Sequence, residues 1–214
     1  MPNIETRYTL ARYTPQAAVS IATRAKEPAA PKVITGYGAV FYNAADPGTE
    51  YTMWSDFVER VMPGCFDRSI REDDVRSFFN HDENQILGRN QAGTLALSID
   101  PTGLRYDVEP PDTELGRSVF EAVRRRDVSG SSFMFAEGDV VWRQIGDLVI
   151  RELNEVQLWE VGPVVFPAYP SSTSEVRSAM VAEAKRHGIH LDRPQNTVGV
   201  RRRLLELRAR QAGL

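Results

Sequence analysis

Residues 148–169 read LVIRELNEVQLWEVGPVVFPAY, and the way this stretch folds decides the architecture of the chain. Three runs rich in β-branched, aliphatic and aromatic residues follow one another: Leu148–Leu153, Val156–Val161 and Val164–Tyr169. Each has the length and composition of a strand. In the middle run Val156, Leu158 and Glu160 alternate with Gln157, Trp159 and Val161, which predicts a strand partly covered on both faces. Pro167, Pro170 and Ser171 close the stretch.

Working outward, Val33–Phe41 is a strand by its β-branched and aromatic residues, and Gly36 and Gly38 inside it mark a bulge or a close backbone approach. Met53–Val61 reads as extended, and Pro63-Gly64 turns the chain into a short helical piece at Cys65–Ile70. Val75–Asn80 leads to His81. Thr94–Ile99 and Leu104–Val108 are strands joined across Asp100–Gly103. The period then changes: Leu115, Val119 and Val123 predict a helix over Asp112–Arg126, packed on the sheet through those residues, with Arg124, Arg125 and Arg126 as its solvated, dipole-compatible end. Asp139–Asp147 reads as a polar loop or hairpin. At least six strands around one internal helix do not repeat as βαβ units, so the expected class is mainly β with helices, as one compact, mostly antiparallel, barrel-like sheet.

The expected organisation is a flexible leader at 1–32, a core at 33–170, a helix at 171–190 and a basic tail at 191–214. Ser172-Thr173-Ser174-Glu175 has capping-box spacing for that helix, and Gly188 is its stop. Beyond it, six arginines face only Asp192 and Glu206, a balance suited to an exposed helix or an acidic surface.

Composition narrows the function. With 214 residues, 42% hydrophobic and 26% charged, the chain supports one substantial core. A formal charge of −3 argues against general nucleic-acid binding, and no apolar run approaches the roughly 20 residues of a membrane span. The single cysteine, Cys65, forms no internal disulfide and suits a reducing compartment. The histidines, His81, His187 and His190, lack zinc-site spacing, so neither a metal nor another cofactor is expected.

The residues that carry chemistry are Asn80-His81-Asp82 and Gly130-Ser131-Ser132-Phe133-Met134-Phe135. A serine hydroxyl becomes a useful nucleophile when a base with a pKa near the working pH takes its proton, and histidine meets that need. Ser129, Ser131 and Ser132 compete for the role. On a strand, Ser131, Phe133 and Phe135 share one face while Ser132 and Met134 share the other. The aromatic rings belong in the core, which aims Ser132 at the opposite face, where a cleft fits. No spacing rule joins His81 to Ser132, since such triads are defined by geometry.

The chain resembles the prohead proteases of tailed bacteriophages from about Thr35 to Val176. The matching pieces are Gly36–Phe41, Val61–Phe66, Asn80-His81-Asp82 with Leu87-Gly88-Arg89, Gly93-Thr94-Leu95, Asp100 with Gly103-Leu104, Val128–Phe133, and Trp159–Gly162 with Phe166–Pro170. The resemblance implies a serine endopeptidase related in fold to the herpesvirus maturational proteases, acting inside the immature capsid in the bacterial host. Its implied partners are the scaffold and the scaffolding segment of the major capsid protein precursor, with cleavage of the protease itself and possible self-association. It also implies His81 as the family's histidine and Ser132 as its serine.

A carboxylate is the implied third member. Glu160, in the stretch resembling the family's Glu-Val-Ser, is the first candidate; Asp82, Glu155 and Glu152 are its rivals, and a salt bridge to Arg151 is the structural alternative for Glu160. Two departures stand out: Met134 replaces a usual glycine, and Gly162 replaces a usual serine. Met134 keeps open a second function, an inactive capsid assembly or scaffolding protein on the same fold. A small-ester hydrolase is disfavoured because no G-x-S-x-G elbow is present. Oxyanion donors are sought among backbone N–H groups near Gly130 or the Glu109–Asp112 loop, or from Arg89, Arg124 or Arg143 through water.

Overall fold

The computed structural model describes residues 4–9, 19–23, 32–54, 56–165, 174–189 and 191. In chain order the strands are β1 (Ile4–Thr9), β2 (Ser20–Thr23), β3 (Lys32–Val40), β4 (Tyr51–Trp54), β5 (Phe57–Val61), β6 (Arg76–Phe79), β7 (Asp82–Arg89), β8 (Leu95–Ile99), β9 (Gly103–Val108), β10 (Gly130–Ile145) and β11 (Leu148–Val164). The helices are α1 (Ser69–Glu72), α2 (Glu114–Arg124) and α3 (Ser174–Arg186).

The centre of the fold is the antiparallel ribbon of β10 and β11, which runs from Gly130 opposite Val164 to Ile145 opposite Leu148. Its turn is Gly146-Asp147, with Gly146 at φ +60°. The separate strands expected within residues 148–164 are therefore one long strand, and the polar segment 139–147 is mostly its partner. Bulges at Met134/Phe135 and around Asp139 shift the register and spoil the alternation that would have announced a continuous strand.

On its other edge β11 takes two parallel partners in succession: β5 beside Val149–Leu153, then β6 at Glu160 opposite Arg76. Backbone groups between them would be bare, and Ser69 at the start of α1 serves them. Its hydroxyl donates to the Val156 carbonyl at 2.6 Å and accepts from the Leu158 N–H at 3.1 Å.

The mainly β, mostly antiparallel character holds, but the strands divide between two sheets and neither closes on itself. One sheet runs β1-β10-β11-β5-β4 with β6 and β7 attached to β11, and the other runs β2-β3-β9-β8. They pack face to face through a shared core in which Phe133, Phe135 and Val161 meet Ile34, Leu104 and Tyr106. The glycines of β3 make that approach possible. A Cβ on Gly36 would stand 3.0 Å from both the Ser131 and Tyr106 hydroxyl oxygens, and one on Gly38 would overlap the Val161 side chain. Stacking at this range takes the place of the curling a barrel needs.

The segment expected as a leader contributes β2 to the second sheet and β1 to the first, where β1 pairs with Ser131–Ala136 of β10. Glu5 and Arg7 of β1 are buried in an ion network with Glu59, Arg151 and Glu137. Those charges are satisfied by partners far along the chain. α3 is followed by Gly188 at φ +74° and contributes Met180 and Ala184 to the core. The capping residues Ser172 and Thr173, the stretch 166–173 and the basic tail from 192 lie outside the described residues.

Candidate active site

Asn80 and His81 form the two-residue connection between β6 and β7, with Phe79 opposite Asp82. Both are left-handed, at φ +56° and +60°, as a type I′ hairpin requires at its two central positions. Asn tolerates this conformation; a glycine normally takes the second place, and histidine there costs on the order of 1 kcal/mol. The tip is stitched to the end of β11. The Asn80 N–H donates to the Pro163 carbonyl at 3.2 Å, and the Asn80 Oδ1 accepts from the Val165 N–H at 2.8 Å.

That anchoring brings His81 over Glu160. The imidazole Nδ1 lies 2.7 Å from Glu160 Oε2, while Glu160 Oε1 accepts the Phe78 N–H at 3.2 Å. Glu160 is 2% exposed. Burial pushes its pKa up, and the hydrogen bond and charge of His81 pull the other way. A carboxylate at Nδ1 holds the proton on that nitrogen and leaves Nε2 as the acceptor, the tautomer a general base needs.

Ser132 lies opposite Gly162, and Met134 opposite Glu160, so all four share one face of the ribbon. Phe133 and Phe135 take the other face, stacked at 5.3 Å in the core. Ser131 follows them: its hydroxyl is 3.1 Å from that of Tyr106 and fully buried between the sheets. Ser129 is exposed. The hydroxyl on the face of Glu160 and His81 is thus that of Ser132. It meets no open cleft: Ser132 is 0% exposed, and its Oγ donates at 2.7 Å to the backbone carbonyl of Arg7 in the neighbouring β1.

The rival carboxylates are engaged elsewhere. Asp82 accepts from the Asn84 N–H at 2.9 Å and from Gln85 Nε2 at 2.8 Å, bonds that fold its side chain back on its own strand. Glu155 pairs with Arg68, and Glu152 with Arg60 and Arg143. Arg151 binds Glu5, Glu59 and Glu137 rather than Glu160. Of the arginines weighed as oxyanion helpers, Arg89 is held by Asp74, Arg124 by Glu121 and Arg143 by Glu152.

Two features of the site were not evident in the sequence. Gly162 is required by close packing, because a Cβ there would collide with the Phe78 carbonyl and stand 2.9 Å from Glu160 Oε1 and 3.1 Å from Ser77 Oγ. Ser77, fully buried with no hydrogen-bond partner for its hydroxyl among the described residues, borders the space a serine at 162 would fill. The second feature is Arg7, whose carbonyl occupies the Ser132 hydroxyl; the strand-like alternation of Ile4–Thr9 was the available signal.

A family model described as caudovirus prohead serine protease matches residues 19–187. Among solved structures the chain is similar to the capsid assembly protease of bacteriophage T4, with 11% identity and a TM-score of 0.45 over 78% of this chain and 99% of the other. No curated protein matches the chain.

Proposed function

We propose that Ser132 is the nucleophile, His81 the general base and Glu160 the residue that orients it, in a chain that belongs to the caudovirus prohead serine proteases and so is a serine protease of capsid maturation. The observation that carries this reading is the 2.7 Å contact of Glu160 Oε2 with His81 Nδ1, on the ribbon face that also presents Ser132.

In the proposed mechanism the Ser132 hydroxyl leaves the Arg7 carbonyl and gives its proton to His81 Nε2 as the oxygen attacks a peptide carbonyl. His81 then protonates the departing amine. Water enters by the same route and releases the acyl group. Glu160 keeps the imidazole in its tautomer and stabilises the imidazolium that forms in each half-reaction. The reading extends to a fold related to the herpesvirus maturational proteases and to action inside the immature capsid. Its substrates are the scaffold or the scaffolding segment of the major capsid protein, and the protease itself. Among the described residues no helix is long and apolar enough to cross a membrane.

The test is incubation with the matching capsid precursor. The wild type is expected to cleave it, and Ser132→Ala and His81→Ala are expected to leave it intact. Cleavage undiminished in Ser132→Ala would overturn the assignment. A wild type that supports capsid assembly without cutting would favour the scaffolding role instead.

A further inference from the structure

β1 ends its sheet and lies antiparallel along Ser131–Ala136, on the edge of β10 that carries Ser132. Without β1 that edge is a row of unpaired N–H and C=O groups, the surface to which an extended peptide adds as a strand. The carbonyl that meets the Ser132 hydroxyl belongs to Arg7. In any strand seated in the same register, the residue at this position therefore presents its carbonyl to the nucleophile.

The Arg7 side chain turns to the other face, where it is 1% exposed and its guanidinium lies 5.3 Å from the centre of the Phe135 ring. There its Nε and Nη2 bind both oxygens of Glu59, and Nη2 also reaches Glu5 at 2.7 Å. Take β1 away and Glu59, Glu137 and Glu183 face Arg151 as the remaining cation of the network. The pocket is short of positive charge even when filled: burial, then Glu137 and Glu5, push the Glu183 carboxyl up to about 7 against the pull of Arg151. A basic side chain is its complement.

We infer that the β10 edge held by β1 is the substrate strand slot, that the Glu59 pocket selects a basic side chain on the residue whose carbonyl meets Ser132, and that β1 sits there as a resident pseudosubstrate. The inference rests on Ser132 as nucleophile, and it adds both a substrate class and a reason for the complete burial of that serine. A capsid-protein strand with arginine or lysine in this register must displace β1 before it can be cut.

The experiment has two arms. In the first, the full chain and its Arg7→Ala and Arg7→Lys variants react with a serine-directed fluorophosphonate. Arg7→Ala is expected to label about tenfold faster than the wild type as the slot opens, with Arg7→Lys between them. Equal rates in wild type and Arg7→Ala would overturn the inference. In the second, a fluorescent peptide copying residues 4–9 is titrated by anisotropy into the Ser132→Ala chain, which reads the slot without catalysis. It is expected to bind about tenfold more tightly than the same peptide carrying Arg7→Glu. Equal binding of the two peptides sinks the inference, even if Arg7→Ala fails to fold. Absence of labelling in every form, with the peptide preference intact, counts against the catalytic assignment and leaves the slot standing.

Discussion

Opposite faces of one ribbon carry two buried polar clusters built on different terms. On the Ser132 face, Glu160 has one imidazole and one backbone N–H, and the imidazole sits on a hairpin tip in a conformation glycine prefers. On the other face, Glu59 and Glu5 are shared between two buried guanidiniums, and Arg151 adds Glu137. In the first cluster burial pushes the Glu160 carboxyl up against the pull of His81. The second is cross-linked, and its ions depend on one another for compensation. Backbone strain belongs to the face of the proposed triad, and shared guanidinium–carboxylate bonds belong to the face that holds strands together.

The comparison predicts a division of effects. The largest falls on catalysis: Glu160→Gln should lower kcat/KM for precursor cleavage about 10⁴-fold by losing the correct tautomer, with little change in the urea midpoint. A urea midpoint that collapses in this variant would mean that Glu160 is structural. Across the ribbon, Arg151→Met should cost about 3–5 kcal/mol in urea unfolding, because Glu59 and Glu5 stay buried with half their compensation gone. A loss below about 1 kcal/mol would show that the network relaxes and is not the clamp described.

Strain supplies a smaller contrast. Arg126 is left-handed at φ +66° after the end of α2 and exposed. Arg126→Gly should stabilise the fold by about 1 kcal/mol with cleavage unchanged, unlike any replacement of His81. A further contrast is in pH. Glu183 has a folded pKa of about 7, above its ordinary 4.5, so the folded state holds the extra proton and stability falls as pH rises from 4.5 through 7. Melting temperatures at pH 5 and pH 8 should therefore differ less in Glu183→Gln than in the wild type; an unchanged difference would remove Glu183 from the account.

The parts of the fold legible in sequence were those written in local alternation. Phe133 and Phe135 announce their core face, which puts Ser132 and Met134 on the opposite one. The glycines of β3 announced a close approach, and a sheet stacks where they lie. Residues 148–164 gave up their strand character but not their continuity, because bulges in the ribbon and the insertion of Ser69 broke the pattern. Asn80-His81 did not read as a hairpin turn, since histidine holds the place of the usual glycine. The choice among Glu160, Asp82, Glu152 and Glu155 stayed open for a further reason: only the tertiary placement of β6 on β11 brings one of them beneath the imidazole. The role of Arg7 was hidden most deeply, because its partner Glu59 is 52 residues away and Arg151 binds Glu5 across 146.

The most direct check on the Ser132–His81 assignment is a mass-spectrometric map of the chain after fluorophosphonate treatment. A single adduct is expected, on Ser132, with Ser129 and Ser131 untouched and the adduct missing from His81→Ala. An adduct on Ser131, or undiminished labelling without the imidazole, would contradict it.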